Sequence, residues 1–447
     1  MSTSHPRAME GDVNTAAPRA RWIAERIGPG TRALLEADAA HFLHQSLSTP
    51  CLNALSHAEG SWLVDTEGRR YLDFHGNNVH QVGFAHPRVI EAVKRQLDDL
   101  SFCTRRYTNA PAVELARRLT TIAPAGLTRT LFAPAGTIAM SMALKLARLV
   151  TGRFKTISLW DSFHGATLDA ISVGGEAQFR EGVGPLLPGA EHVPPCEPNG
   201  CPFRCGRECS LSCADYIEYV LGREPGIGAV IGETLRCTPS IPPADYWKRI
   251  RAACDRHGAL LILDEIPIGL GRTGRMFACE HFGVTPDLLV VGKGLGGGVM
   301  PLAAVLAREE FNTVASASLG HFTHEKNPVS AAAGLATLDI LRDERLPEHA
   351  ARLGAEALED LRGLAERHPV IHGVRGLGLM LGVDLTGAPH GFADEVMYAA
   401  LRRGLNFKTT RGHMLTLTPP VNLSREEWKQ ALAILDASIR ECSAGLR

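Results

Sequence analysis

The sequence has no excess of either charge. Its 47 Lys and Arg stand against 48 Asp and Glu, a formal net charge of −1. That balance argues against a nucleic-acid partner with a broad footprint and against a polybasic membrane anchor, while leaving room for a local basic pocket. Long apolar runs are missing too. Leu288 to Ala307 comes nearest, but Lys293, Pro301 and five glycines interrupt it, so no membrane-spanning helix is expected. The first 20 residues lack the apolar stretch of a secretory signal and read as a frayed leader of a cytoplasmic protein. There is no internal repeat. The eleven cysteines show no disulfide framework; Cys51, Cys103, Cys237, Cys254, Cys279 and Cys442 are scattered and read as buried thiols.

What is present is an ordinary globular composition. The 447 residues allow about three domains, or one large core with an appendage. Hydrophobic residues make up 45% and charged ones 21%, enough apolar surface for a sizeable core. The 45 glycines suit many tight strand-to-helix turns.

Patterning gives an order of elements. Ser61–Phe74 reads as a hairpin turning at Asp65–Gly68, after a helix and an irregular arm. Helical spacing follows at Pro87–Leu100 and Pro111–Thr121. Short apolar runs then alternate with amphipathic helices: Thr130–Phe132, Phe154–Leu159, Ala229–Gly232, Leu260–Leu263 and Leu288–Val291. Such strands predict a mostly parallel sheet covered on both faces, an α/β fold. From about residue 336 the texture becomes helical, with a break or kink at Pro347, then strands at 370–385 and a final helix from Ser424. The expected domains are therefore a leader, arm and hairpin over 1–74 packing with a smaller α+β domain at 336–447, and a large domain at 75–335.

Three strand ends carry chemistry, and in a parallel sheet ligands bind beyond such ends. Ala133-Pro134-Ala135-Gly136-Thr137 joins a strand to a helix whose N-terminus suits a phosphate, although a plain turn explains it as well. Leu260 to Leu263 delivers Asp264 and Glu265 to its mouth; a partly buried carboxylate needs a cation, such as a protonated pyridine nitrogen, or serves as a cap or ion pair. Val291-Gly292-Lys293-Gly294-Leu295-Gly296-Gly297-Gly298 wraps a lysine in glycines, which packing explains poorly, and lacks the order of a P-loop. A desolvated lysine can lose its proton and form an imine. A phosphate, a protonated ring nitrogen and an aldehyde together describe pyridoxal 5'-phosphate.

The block LLILDEIPIGLGRTGRMFACEHFGVTPDLLVVGKGLGGGVMPLAAV, residues 260–305, resembles the class III aminotransferases among the fold-type I pyridoxal-phosphate enzymes. The likeness runs from about residue 45 to the end. It implies a large domain with a mostly parallel central sheet plus a smaller α+β C-terminal domain. It implies that Lys293 links to the cofactor aldehyde and Asp264 pairs with the ring nitrogen. Ile266 and Phe163 would flank the ring, Gly136 and Thr137 would hold the phosphate, and Glu233 matches the glutamate after the preceding strand. Thr323 resembles the threonine that reaches the neighbouring subunit's phosphate, which implies a homodimer with shared active sites, or a tetramer built from it.

Three departures stand out. Ala135-Gly136-Thr137-Ile138-Ala139 replaces the usual Ser-Gly-Ser-Glu-Ala. Pro267 stands where a glutamine would reach the cofactor's phenolic oxygen. Thr416 occupies the place of an arginine that binds the keto-acid acceptor in several members. Segments 44–53, 73–84 and 264–274 look like members of the class that eliminate ammonia from a hydroxylated aminophosphonate. The resemblance thus implies an ammonia-lyase; an ω-amino-acid:keto-acid aminotransferase is the alternative, and a non-catalytic regulator or scaffold a second. A phosphonate would need cations, for which Arg105, Arg106, Lys408 and Arg411 are candidates, beside Val79 and His80 in a polar wall. Each of these is otherwise a surface charge or a satisfied turn. Cys196, Cys201, Cys205, Cys209 and Cys213 form a dense loop that could hold a structural zinc, but without the usual Cys-x2-Cys spacing no metal is assigned.

Overall fold

The computed structural model describes residues 17–43, 45, 54–197, 201–205 and 209–445. The N-terminal part of the expected leader, nearly all of segment 44–53 with Cys51, and positions 198–200 and 206–208 of the cysteine loop lie outside the described residues. The chain forms two compact units. One is Pro87–Pro347; the other joins the residues up to His86 with Glu348–Arg447.

Seven strands build the centre of the Pro87–Pro347 unit: β1 (Leu127–Ala133), β2 (Lys155–Leu159), β3 (Ala190–Val193), β4 (Ile227–Glu233), β5 (Leu260–Asp264), β6 (Leu288–Val291) and β7 (Ala303–Arg308). They lie in the order β1-β7-β6-β5-β4-β2-β3. Strand β7 runs antiparallel to both its neighbours, and every other pairing is parallel. Every residue of β4, β5 and β6 is buried, as a sheet covered on both faces requires. Helix α1 (Gly136–Thr151) packs Met140, Ala143 and Ala147 in one cluster with Ile231, Ile262, Val290 and Val305. Helix α2 (Tyr246–His257) stops at Gly258, whose φ of 63° closes the turn into β5. Because β4, β5 and β6 are parallel, their carboxyl ends share an edge. The register sets Glu233 opposite Asp264 and Asp264 opposite Val290.

The helical stretch expected from about residue 336, with a break or kink at Pro347, forms two helices, α3 (Pro328–Asp343) and α4 (Leu346–Arg367). The chain breaks at Arg345, which is left-handed with φ 51°, and Pro347 sits in the first turn of α4, where its missing N–H costs nothing.

In the other unit, Trp62–Asp65 and Arg70–Asp73 form the antiparallel hairpin, and Leu405–Asn406 pairs in parallel with its second strand. A separate antiparallel sheet holds Gly373–Leu377, Met380–Asp384, Met414–Leu417 and Lys408–Thr410 in that order. The last helix, Arg425–Ala444, opens with a capping box between Ser424 and Glu427. No helix among the described residues is long and apolar enough to cross a membrane.

Candidate active site

Three strand ends of the Pro87–Pro347 unit meet at Ile266. A Cβ at Gly136 would stand 2.9 Å from Ile266 Cδ1, and one at Gly292 would stand 3.3 Å from Ile266 Cγ2. Glycine at both positions lets the start of α1 and the lysine loop close on this one side chain. Helix α1 begins after Ala135, which offers no side-chain cap. The first N–H groups of a 16-residue helix therefore lack a side-chain acceptor there, and with the helix dipole they favour an anion. Thr137 Oγ1 lies 2.7 Å from Thr167 Oγ1 and accepts the Thr167 N–H at 3.2 Å. The intervening Gly165 has φ 127°, and a Cβ there would fall 2.3 Å from Thr137 Oγ1. Only glycine lets the 163–167 turn lie against the helix start.

Asp264 is buried at the end of β5. Its Oδ1 accepts the Ile266 N–H at 3.0 Å, and its Oδ2 is 2.9 Å from His164 Nδ1. A carboxylate only accepts, so Nδ1 carries the proton of this bond. His164 Nε2 is buried with no hydrogen-bond partner among the described residues. At the end of β4, buried Glu233 accepts the Phe163 N–H at 3.1 Å with Arg236 Nε 3.9 Å away. Burial pushes the Glu233 carboxyl up. The Phe163 ring packs on Phe179 with 4.5 Å between centroids.

Glu265 corrects one expectation. The sequence places two carboxylates at the mouth of β5, but side chains alternate along the chain there and Glu265 turns away from Asp264. It accepts the N–H groups of Ala278 at 2.6 Å and Cys279 at 2.7 Å, and the Thr234 hydroxyl at 3.0 Å. Burial outweighs these three donors and pushes its carboxyl up to about 7.

Lys293 follows β6 after Gly292. Its φ of 47° is left-handed, a conformation that costs a non-glycine residue energy and gathers at functional sites. The turn Lys293–Gly296 leads to Gly297, with φ 66°, where a Cβ would stand 2.7 Å from Thr337 Oγ1 of α3. The glycines after the lysine thus serve close packing on α3 as well as access.

Thr323 is exposed on the turn before α3. Arg105 Nε lies 3.0 Å from Glu325 Oε2, and Arg106 is exposed. In the other unit Val79 is half-buried, and His80 is fully buried with Nε2 3.2 Å from the Asp73 carbonyl oxygen and its ring 5.0 Å from Phe84. Lys408 is the cross-strand partner of Thr416, and Thr416 Oγ1 lies 2.9 Å from Thr410 Oγ1. Arg411, at φ 55°, forms the turn between those strands. In the cysteine loop Cys201 and Cys205 have their sulfurs 3.6 Å apart. Ser210 pushes the Cys205 thiol down to about 7. Among the described residues no group of three or more His, Cys, Asp or Glu is arranged to hold a metal ion. Sequence reasoning missed the roles of His164 and Glu325. His164 had a signal, since it lies in the Ser162-Phe163-His164-Gly165 turn; the pairing of Glu325 with Arg105 is visible only in three dimensions.

These groups fit a phosphate-bearing pyridine aldehyde. An uncapped helix start would suit the phosphate, a buried carboxylate the ring nitrogen, and a lysine the aldehyde. Ile266 touches the backbone at the first and last of these.

Comparison with known proteins points the same way. The family described as aminotransferase class-III matches residues 44–439. An (R)-1-hydroxy-2-aminoethylphosphonate ammonia-lyase of Vibrio splendidus is 46% identical, over 98% of this chain and 96% of its own length. An acetylornithine aminotransferase of Methanopyrus kandleri is 38% identical, over 86% of this chain and 93% of its own. Among solved structures, an amine transaminase from an uncultivated Pseudomonas species in its PLP-bound form superposes with a TM-score of 0.83 at 30% identity. It covers 90% of this chain and 99% of that one.

Proposed function

The chain belongs to the class-III aminotransferase family, and from that premise we propose that it is a pyridoxal-phosphate-dependent ammonia-lyase. Its substrate is (R)-1-hydroxy-2-aminoethylphosphonate. Water leaves, the resulting enamine becomes an imine, and hydrolysis returns the water and gives phosphonoacetaldehyde and ammonia. The observation that carries the reading is the meeting of the α1 start, Asp264 and the Lys293 loop around Ile266. The choice of elimination is supported by the Vibrio relative and by Thr416, whose hydroxyl is 2.9 Å from that of Thr410 and which cannot grip a carboxylate as an arginine would.

When bound, pyridoxal phosphate links the substrate amine through its aldehyde and takes up the electron pair left on the carbon bearing nitrogen. The chain's residues do the rest. Gly136 and Thr137 hold the phosphate at the head of α1. Asp264 keeps a proton on the ring nitrogen, and the His164 Nδ1–H bond fixes the carboxylate that does so. Ile266 and Phe163 would hold the ring between them. Glu233 fixes the Phe163 backbone. The Lys293 amine would remove the proton from the carbon bearing nitrogen. As an ammonium it then gives a proton to the departing hydroxyl.

The working form is a cytoplasmic homodimer in which Thr323, exposed on its own subunit, reaches the other subunit's phosphate. Within the Pro87–Pro347 unit the phosphonate is met by Arg106, which is exposed; Arg105 is already paired with Glu325.

The test is turnover without any keto acid. The loaded enzyme should release many equivalents of free ammonia per site. One equivalent followed by a stall would mark an aminotransferase and overturn the lyase reading.

A further inference from the structure

Glu325 is a buried carboxylate that the proposed reaction does not use. It lies at the centre of the turn that carries Thr323. Its Oε1 accepts the backbone N–H of Phe322 at 2.9 Å and that of His321 as well. Its Oε2 takes Arg105 Nε at 3.0 Å. A Cβ at Gly320 would fall 1.7 Å from Oε1, so only glycine permits the carboxylate to sit there. His321 is held at φ 98°, a conformation a non-glycine residue rarely adopts without restraint.

The surroundings tie the same turn at both ends. On one side Lys145 Nζ donates to the Leu319 carbonyl at 3.2 Å. On the other, Asn327 caps α3 through the Ser330 N–H at 2.9 Å, and its amide meets His324 Nδ1 at 3.1 Å. Asn109 Nδ2 donates to the Lys326 carbonyl at 2.9 Å, and the Phe102 ring meets His324 edge-on at 5.2 Å. Five residues, from His321 to Glu325, are thus folded over one carboxylate. Thr323, at the middle, stays exposed.

A strained turn with an exposed hydroxyl at its tip and an internal charge at its centre is built to present that hydroxyl. We infer that Glu325, braced by Arg105, is a positioning residue that holds Thr323 in place for the cofactor phosphate of a second copy of this chain. This rests on the shared-site reading above. It also gives Arg105 a role other than phosphonate binding.

A double-mutant cycle on the loaded dimer tests it. Thr323→Ala, Glu325→Ala and the double variant are compared by equilibrium dialysis for the cofactor dissociation constant, and by light scattering for the dimer. Losing one hydrogen bond to a charged group predicts a rise of about tenfold for Thr323→Ala. Glu325→Ala should give a similar rise with the dimer intact, and the double variant no more than either alone, because both remove one interaction. Glu325→Gln keeps one accepting oxygen and should recover part of the loss. If Thr323→Ala leaves cofactor affinity unchanged, the shared-site reading fails and this inference with it. If Thr323→Ala weakens binding but Glu325→Ala does not, or if the two effects add, the positioning role is overturned while the shared site stands. Should Glu325→Ala fail to fold, Glu325→Gln and Arg105→Ala complete the same cycle.

Discussion

The strand ends around Ile266 and the antiparallel sheet of the other unit treat buried polar groups in opposite ways. In the first, Ala135 leaves the start of α1 without a side-chain cap, His164 Nε2 has no partner among the described residues, and Lys293 is held left-handed. In the second, polar groups answer one another. Thr416 lies 2.9 Å from Thr410, and Asp384 takes Arg375 at 2.5 Å and the Thr386 N–H at 2.9 Å. A region that satisfies itself is built for stability. A region that leaves donors and charges unanswered is built to be completed by a ligand, since buried polar groups are otherwise paired.

That contrast breaks most visibly at Lys293. Lys293→Ala removes the group that links the cofactor and moves the proton, and should lower ammonia release by about 10⁴-fold or more. Asp264→Asn should cost about 10²–10³-fold in kcat, the usual scale for removing one electrostatic partner of the reacting group, with the fold retained. His164→Phe removes the bond that fixes Asp264. It should cost about tenfold, like other losses behind a primary contact, and shift the absorbance of the bound cofactor.

Residues outside the cluster sharpen the comparison through stability. Glu265, next to Asp264, is held at about 7 against an ordinary value near 4.5. The folded state therefore binds more protons than the unfolded one between those values. The stability this group contributes is present below about pH 4.5 and is lost as pH rises through 7, by at most about 3 kcal/mol. Chemical unfolding from pH 4.5 to 8 should show that decline, and Glu265→Gln should flatten it. Thr416→Val removes the bond to Thr410 and should cost about 1 kcal/mol of stability. Turnover should change by less than about twofold, well below a factor of ten. A large loss of kcat/KM from Thr416→Val would mean that the second region also serves the substrate.

How much of this the sequence carries depends on the range of the interaction. The β5 and β6 runs, the stop at Gly258 and the capping box at Ser424 are local patterns, and they read directly. So do Asp264 and Lys293, because each ends an apolar run. What escapes local reading depends on partners far along the chain. Glu265 is aimed at Ala278 and Cys279, and Arg105 at Glu325. The glycines after Lys293 read as room for a ligand, yet Gly297 is there because Thr337 of α3 comes close. His80 reads as a wall of the site, yet it is fully buried against Asp73 and Phe84. A residue type and its neighbours announce a strand end; they do not say which side chain across the fold has already claimed it.

The most direct test of the central claim is chemical trapping of the loaded enzyme. After borohydride reduction, peptide mapping by mass spectrometry should find the pyridoxyl mass on Lys293. Finding it on another lysine, or finding no adduct, would contradict the account.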